Sequence, residues 1–389
     1  MRPSGRRISV LASTVTIAAF VALAVSPRIR LEAQGRPPSK AAVAVDVPST
    51  PENVVLGSFP IDRRPVARVA SGSVVRIATL SQRGALQEQD PVAFLGQYGV
   101  KPEEVLKDVR DVWASKASRP REERGGHILT GPIYVEGAEP GDTLAVDILE
   151  LTTRVPYGIN STSSTAGVFA SNYPAQPGDA VPAIPNTIHL IRTGEVNGRQ
   201  VAFFSDKIQV PMSPFMGTMA VAPDNPTVGQ PGVRVAGLQT SGPPGPYGGN
   251  MDFRDLTAGA TLYLPVFHPG ALFYAGDPHG AQGDGEMSGN ALEQSLSGVF
   301  RFTVQKGKTI SGPRAETATH YYLMGIDADL NRAARKATLE TIDFLVKEKG
   351  LTPAKALSLC SIAIDFRIAE VVDGTQVVVG TVAKSLFLR

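Results

Sequence analysis

The chain has 389 residues, of which 42% are hydrophobic, and it carries 38 Lys and Arg against 36 Asp and Glu, a net charge of +2. This composition supports a large core and argues against disorder, and the near-neutral charge argues against a nucleic-acid partner. The 39 Gly and 31 Pro leave little room for long helices, which excludes a helical bundle, and the single cysteine, Cys360, excludes an intrachain disulfide.

The amino terminus has the pattern of an export signal. Arg2 and the paired Arg6 and Arg7 precede an apolar run over residues 8–25, and small residues follow that run. We interpret residues 1–34 as a signal peptide, and its paired arginines also fit the twin-arginine type. A retained membrane anchor is the alternative. The signal predicts an exported protein, periplasmic or secreted, with no stable membrane insertion after processing.

The next part of the chain predicts a spacer followed by many short strands. Residues 35–53 are rich in Pro, Ala and Ser, which favours a flexible spacer. Over residues 54–325, short apolar runs are bounded by Gly, Pro, Asn and Asp, as in strands joined by turns. A turn followed by an alternating strand recurs after Gly72, Gly141 and Gly259. These three copies favour a β-sandwich.

The last part of the chain, residues 326–389, predicts two helices and a hairpin packed on the same domain. A first helix, capped by Asp327 or Asp329, carries apolar residues along one face and ends before a glycine. A second helix begins at Pro353. Asp373-Gly374 predicts a two-residue turn between the last two strands. The fold class is therefore mainly β, in the α+β sense, with a carboxyl-terminal α/β portion.

One segment concentrates groups that can do chemistry. Residues 277–286 contain three carboxylates, one imidazole and one amide among glycines, and they include Asp277, His279 and Glu286. Glycines let the backbone approach a small ligand closely. A solvated turn or a calcium-binding loop would have the same composition.

Two further segments carry suitable side chains. Asn250 and Asp252 follow a pair of glycines and lie two residues apart, so they share one side of an extended chain. His127 stands beside a predicted strand start. Asp252 together with Asp277 and His279 offers the ligand types of a catalytic zinc site with an open position, although no strict spacing motif accompanies them.

Common catalytic motifs are absent. The sequence has no G-x-S-x-G, no G-x-x-x-x-G-K-[ST] and no G-x-G-x-x-G at a strand-to-helix turn. Cys360 lies on a predicted apolar helix face, which disfavours a nucleophilic thiol.

At these residues the sequence resembles the acetamidase/formamidase family. The resemblance covers roughly residues 60 to 389, and residues 160–190 have no matching motif. It is carried by several motifs in the same order along the chain: residues 127–144, Gly248-Gly249-Asn250-Met251-Asp252, Pro265-Val266, Pro269-Gly270-Ala271, Gly276-Asp277-Pro278-His279, Gln282-Gly283-Asp284-Gly285-Glu286, Gly325-Ile326-Asp327, Ala337-Thr338, Asp343-Phe344-Leu345, Ser361-Ile362-Ala363-Ile364-Asp365 and Val371-Val372-Asp373-Gly374.

The resemblance implies a jelly-roll-like β-sandwich, hydrolysis of short amides to a carboxylate and ammonia, a divalent metal in at least some members, and a homo-oligomer. The hypothesis that follows is a metal-assisted amidohydrolase acting on a small amide substrate. Asp252, Asp277 and His279 would hold the ion, expected to be Zn²⁺, which activates a water molecule.

Glu286 would move the proton from water to the leaving nitrogen, and Asn250, His127 and loop amides would bind the carbonyl oxygen. The alternative from another class is an exported, non-catalytic jelly-roll module that binds calcium or carbohydrate through its acidic loops.

Overall fold

The computed structural model describes residues 42–119, 126–170, 180–224 and 238–388. The predicted signal peptide lies outside the described residues. Within these ranges, no helix is both long enough and apolar enough to cross a membrane.

The described part of the chain is built mainly of strands. In chain order the strands are β1 (Val45–Val47), β2 (Val54–Leu56), β3 (Ser58–Pro60), β4 (Ala67–Val69), β5 (Val74–Ala78), β6 (Ile128–Val135), β7 (Thr143–Thr153), β8 (Tyr157–Thr162), β9 (Thr187–Val196), β10 (Arg199–Ser205), β11 (Ile208–Pro211), β12 (Phe215–Ala220), β13 (Leu238–Thr240), β14 (Gly248–Asn250), β15 (Thr261–Pro265), β16 (Phe273–His279), β17 (Leu296–Gln305), β18 (Arg314–Glu316), β19 (His320–Asp327), β20 (Asp365–Glu370) and β21 (Gln376–Ala383). The α-helices are α1 (Pro91–Gly96), α2 (Lys107–Ser115), α3 (Leu330–Lys349) and α4 (Pro353–Ala363).

Two large sheets share one hydrophobic core. The first has nine strands in the order β1-β5-β17-β7-β15-β18-β19-β21-β20, and the second has the order β14-β12-β16-β6-β2 with β4 paired to β6. Phe273 of the second sheet packs against Phe302 of the first, with ring centroids 4.9 Å apart. The mainly β prediction is confirmed, and the jelly-roll order of connections stays a prediction. The three recurring turn-strand units are β5, β7 and β15, all in the nine-stranded sheet.

A smaller sheet lies beside the segment that carries the candidate residues. Its order is β11-β10-β9-β8. Ile191 and Ala202 of this sheet form a buried cluster with Ala281 and Leu292, which flank the Glu286 loop. The small sheet therefore forms a wall next to that loop.

The folded part begins earlier than the spacer prediction placed it. The strand β1 lies inside residues 35–53 and pairs in parallel with β5, with Val45 opposite Val75 and Val47 opposite Ile77. The spacer prediction is therefore wrong for this strand. A three-residue strand is too short to show an alternating pattern in sequence.

The two carboxyl-terminal helices have the predicted ends. The Asp329 carboxylate, not that of Asp327, accepts the backbone N–H of Arg332 at 2.8 Å and caps α3. Gly350 ends this helix with a φ of 69°, a left-handed conformation that glycine adopts without strain. Both helices pack against the end of the nine-stranded sheet that includes β19 and β21, and Cys360 is buried there.

The closing hairpin differs from the prediction. Strands β20 and β21 are separated by five residues, from Val371 to Thr375, rather than by a two-residue turn. The Glu370 carboxylate accepts the backbone N–H groups of Val372 and Asp373 at 2.6 and 2.7 Å. These bonds hold a wider turn, which directs Asp373 toward the candidate site rather than into a tight hairpin.

Candidate active site

Neighbouring strands of the second sheet bring the predicted residues together. Asp277 and His279 lie near the end of β16, which pairs with β12. Asn250 ends β14 on the other side of β12, and Asp252 follows two residues later. His127 directly precedes β6, the other neighbour of β16. The sheet order thus gathers residues that are up to 152 positions apart in the sequence.

Three of the candidate acidic residues have a left-handed backbone conformation, which is uncommon for residues other than glycine. Asp252, Asp277 and Glu286 have φ values of 43°, 48° and 50°. A left-handed non-glycine residue costs on the order of 1–3 kcal/mol and persists where the surrounding structure enforces it. Such residues cluster at functional sites, so this shared conformation marks the segment as a candidate active site.

The side chains converge at one point opposite Gly217. A Cβ atom at Gly217 would lie 2.3 Å from Asp252 Oδ1, 2.9 Å from Asp277 Oδ2 and 2.9 Å from His279 Cε1. Only glycine leaves this space open. The carboxylates and the imidazole therefore surround a volume that a larger residue at position 217 would fill.

The hydrogen bonds of Gln282 fix the orientation of His279. Gln282 donates from Nε2 to the backbone carbonyl of Asp252 at 2.7 Å, so its Oε1 is the acceptor that faces His279 Nδ1 at 3.0 Å. Nδ1 therefore carries a proton, and Nε2 is the ring nitrogen left to face the carboxylates, where it can hold either a second proton or a metal ion. His279 Nε2 and Asp252 Oδ1 are both buried without a hydrogen-bond partner.

Three carboxylates lie close to Nε2 of His279. Its Nε2 lies 3.2 Å from Glu293 Oε1, 3.3 Å from Asp277 Oδ2 and 4.0 Å from Glu286 Oε1. These three residues and Asp252 are each at most 7% exposed. Within the described ranges, no Lys or Arg forms an ion pair with any of the four carboxylates. His127 and His279 are their only basic partners there.

Burial and crowding shift the protonation of the cluster. Burial raises the pKa of Asp252 well above its ordinary value, and the charges of Glu286 and Asp277 add to this. Burial likewise raises the pKa of Glu286; His279 opposes this rise and the Asp373 charge adds to it. The cluster therefore retains protons that a bound cation could replace.

Asp277 and His279 shift in the directions expected of an ion pair. Burial alone would raise the pKa of Asp277, but His127 and His279 outweigh it and lower the pKa. Burial alone would lower the pKa of His279, but Asp277 and Glu293 raise it well above the ordinary value. These two residues hold opposite charges at neutral pH when no other cation is near.

In the described part of the chain, two groups of three residues could hold a metal ion. One consists of Asp252, His279 and Glu286, and the other of Asp277, His279 and Glu293. Both groups use His279. The predicted set of Asp252, Asp277 and His279 is thus gathered in one place but is divided between the two groups.

A sequence model of the Acetamidase/Formamidase family matches residues 115–241 and 229–387. The chain belongs to this family. Family membership makes it an amidohydrolase that acts on carbon–nitrogen bonds other than peptide bonds, and it confirms the predicted resemblance.

Several relatives and solved structures are similar to this amidohydrolase. A formamidase from Methylophilus methylotrophus is 26% identical over 320 residues, which cover 68% of this chain and 76% of that protein. An acetamidase from Mycolicibacterium smegmatis is 29% identical over 209 residues, 42% of this chain and 49% of that protein. The crystal structure of an acetamidase from Yersinia enterocolitica superposes with a TM-score of 0.70 at 24% identity, over 90% of this chain and 95% of that one. This last likeness shows a shared fold.

In this acetamidase/formamidase family member, Asn250 has no free hydrogen-bonding group. Its Oδ1 accepts from the Thr218 hydroxyl at 2.5 Å, and its Nδ2 donates to Asp252 Oδ2 at 2.8 Å and to Asp373. All three bonds are to protein groups. Asn250 is therefore placed to orient Asp252 rather than to meet a substrate oxygen.

His127 keeps an available nitrogen. Its Nδ1 lies 3.1 Å from the Ser241 hydroxyl, and its Nε2 lies 3.8 Å from Asp277 Oδ2. The Nε2 atom is too far from Asp277 for a strong hydrogen bond. His127 can therefore offer a donor toward the centre of the site.

Sequence reasoning missed three residues of the site. Gln82, in the loop after β5, donates from Nε2 to Asp277 Oδ1 at 2.9 Å and to Glu293 Oε2 at 3.0 Å. Glu293 was recognisable only as an acid beside apolar residues, and Asp373 was assigned a turn role alone. No local pattern marks Gln82, because its partners lie about 200 residues away in the chain.

Proposed function

We propose that this amidohydrolase hydrolyses a linear amide to a carboxylate and ammonia at a divalent metal site, with formamide- and acetamide-like amides as its simplest substrates. The observation that carries the proposal is the convergence of four buried carboxylates on His279 with no Lys or Arg pairing with them in the described residues. The names of the formamidase and acetamidase relatives support the substrate class.

Asp277, His279 and Glu293 would hold the ion. The free Nε2 of His279 lies nearest to these two carboxylates, and Gly217 leaves space beside Asp277 and His279. One imidazole and two carboxylates are ligands that Zn²⁺ accepts while keeping an open position. When bound, the ion would lower the pKa of a water molecule and polarise the amide carbonyl. Asp252, predicted as a ligand, belongs to the other group and stays the alternative.

Glu286 remains the proposed proton carrier. It is buried, and its raised pKa suits a carboxyl group that accepts a proton from water and returns it to the leaving nitrogen. Its loop is tied to the final hairpin, because Gly285 donates its N–H to the carbonyl of Ala369 at 2.9 Å. Glu286 Oε1 lies 4.0 Å from His279 Nε2, and no Lys or Arg among the described residues pairs with it.

His127 would bind the carbonyl oxygen as negative charge develops on it. If Ser241 donates to Nδ1, then Nε2 carries the proton and can donate to this oxygen. Asn250, proposed from sequence for the same task, would instead hold Asp252 in position through Nδ2.

The test follows ammonia release and metal content together. The purified mature protein, reconstituted with Zn²⁺, should release ammonia from formamide or acetamide, and chelation should abolish that release. Glu293→Gln should lose bound metal and activity, whereas Glu286→Gln should retain the metal and lose turnover by about a hundredfold or more.

The paired variants also separate the two metal groups. If Glu286→Gln loses the metal and Glu293→Gln retains it, the ion is bound by the other group, Asp252, His279 and Glu286. Absence of ammonia release from any amide, with metal bound, would refute amide hydrolysis. The non-catalytic binding module is not supported, because family membership makes the chain an enzyme.

Export, the signal peptide and the homo-oligomer remain proposals. Amino-terminal sequencing of protein recovered from the periplasm or medium tests processing near residue 34. Light scattering of the purified protein tests its oligomeric state.

A further inference from the structure

A cleft of about 770 Å³ opens beside Glu286. Glu286 and Gln282 both line it, and Gln282 contacts His279 Nδ1 at 3.0 Å. The cleft therefore ends at the proton carrier and next to the imidazole on which the cluster converges.

One side of the cleft is apolar. It includes Ala202 and Phe204 of β10, Ile191 of β9 and Leu292. Phe204 is 54% exposed, and Met287, which also lines the cleft, is 53% exposed. Apolar side chains left open in a concave site beside catalytic groups are typical of a ligand-binding surface.

The other side is charged, but its charges are already paired. Arg254, Asp255 and Asp284 line the cleft. Arg367 bonds to both Asp255 and Asp284, and Arg254 Nε lies 3.7 Å from Asp284 Oδ1. Among the described residues of this side, two arginines balance two aspartates, and the carboxyl group that lines the cleft without a Lys or Arg partner is that of Glu286, the proposed proton carrier. A neutral ligand therefore fits the cleft better than an ionic one.

The volume exceeds the needs of the smallest amides. Cavities of about 300–1,000 Å³ hold drug-sized ligands, whereas acetamide has a single methyl group beside its amide. We propose that the cleft binds the acyl group of the substrate, and that the preferred substrate is a primary amide with an apolar acyl chain or ring of about six carbons or more. This rests on the proposed function, because release of ammonia leaves the acyl side as the only place for a large substituent.

The first test compares amides of increasing length. Each buried methylene should improve kcat/KM by about fourfold. Hexanamide has four methylenes more than acetamide, so it should exceed acetamide by about tenfold or more if half of them are buried and by about 250-fold if all are buried. Phe204→Ala should reduce this ratio. Phe203→Ala is the matched control, because Phe203 is similarly exposed but its side chain projects from the opposite face of β10, against Gly194.

A ratio of one or less in the wild type would overturn the inference. So would an equal loss of the ratio in Phe203→Ala and Phe204→Ala. Size-exclusion chromatography of both variants measures whether either substitution changes the oligomeric state. If Phe204→Ala alone dissociates an oligomer and leaves the amide ratio unchanged, the apolar wall is a contact between copies and the inference is wrong.

A binding measurement separates this inference from the proposed function. Calorimetry on Glu286→Gln compares the affinities for hexanamide and acetamide without turnover. Tighter binding of hexanamide than of acetamide supports the acyl site even if the wild type hydrolyses no amide. Absence of hydrolysis would refute the proposed function but not the acyl site. Hydrolysis of acetamide combined with no preference for hexanamide in either assay would overturn the acyl site alone.

Discussion

Acidic residues close together in the sequence enter two different environments. Asp252 and Asp255 are three residues apart, and Asp284 and Glu286 are two apart. Asp255 and Asp284 pair with Arg367 at the edge of the cleft. Asp252 and Glu286 turn into the buried cluster, where no Lys or Arg among the described residues pairs with them.

The comparison shows what a cationic partner does to a carboxylate. Beside Arg367 the negative charge is neutralised, and the carboxylates serve to join the Glu286 loop to the final hairpin. In the cluster the negative charges repel one another, and burial raises the pKa values of Asp252 and Glu286. Unpaired buried carboxylates cost stability, so their retention points to binding or chemistry.

The largest expected effect comes from filling the centre of the unpaired cluster. Gly217→Ala would place a methyl group 2.3 Å from Asp252 Oδ1, which forces the carboxylate to move. The rate of amide hydrolysis should fall by about a hundredfold or more, and the affinity for the metal ion should fall as well. Gly96→Ala is the control, because no atom lies within 4 Å of the added methyl there. Full activity in Gly217→Ala would show that the cluster is not the active site.

Removing the guanidinium group of Arg367, which pairs with Asp255 and Asp284, should affect the stability of the protein more than the rate of hydrolysis. Arg367→Met leaves Asp255 and Asp284 without their main partner and should lower the free energy of unfolding by about 2 kcal/mol. Urea denaturation measures the change. Arg301→Met, which breaks an exposed pair with Asp147 at 3.7 Å, should cost about 0.5 kcal/mol or less. If both variants lose the same free energy of unfolding, the pairs of Arg367 contribute no more to stability than an exposed ion pair.

Asp373 connects the two regions and should have a smaller effect on catalysis. Burial raises the pKa of Asp373 to about 6, His127 opposes this, and the Asp277 charge adds to it. Asp373→Asn weakens the hold on Asn250 and should lower kcat/KM by about tenfold, as expected for a residue that orients the site indirectly. Asp365→Asn, on the exposed end of the same hairpin, should leave kcat/KM unchanged. The same loss in both variants would indicate a general effect on the hairpin.

The smallest expected effect comes from Asp108, a paired carboxylate that is not part of the cluster. Burial alone would raise the pKa of Asp108, but Ser49 and Arg154 outweigh it and lower the pKa. The pairing therefore stabilises the protein above about pH 4, the ordinary Asp range, and this stability is lost as the pH falls through the folded-state pKa. Asp108→Asn should be about 1 kcal/mol less stable than the wild type at pH 7. This difference should shrink as the pH falls through the folded-state pKa of Asp108, and a difference that stays constant from pH 7 into acid would contradict the assignment.

Much of the local structure follows from sequence because its causes are local. The strand after Gly72 alternates apolar and polar residues, and the structure has β5 there. Asp329 and Gly350 bound α3 because a side-chain cap and a left-handed glycine act within one turn. The final hairpin failed as a two-residue turn because Glu370 binds the turn backbone, which the Asp-Gly pair does not reveal.

The sequence by itself determined a mainly β protein, its family resemblance and the segments that carry Asp277, His279 and Glu286. Tertiary structure alone decided which carboxylates lie beside Arg367 and which face His279, and it added Gln82 and Glu293 to the site. The physical reason is that the alternating pattern of a strand and the cap residues of a helix are encoded within a few residues. Charge pairing instead depends on distances of 3–4 Å between side chains from distant parts of the chain.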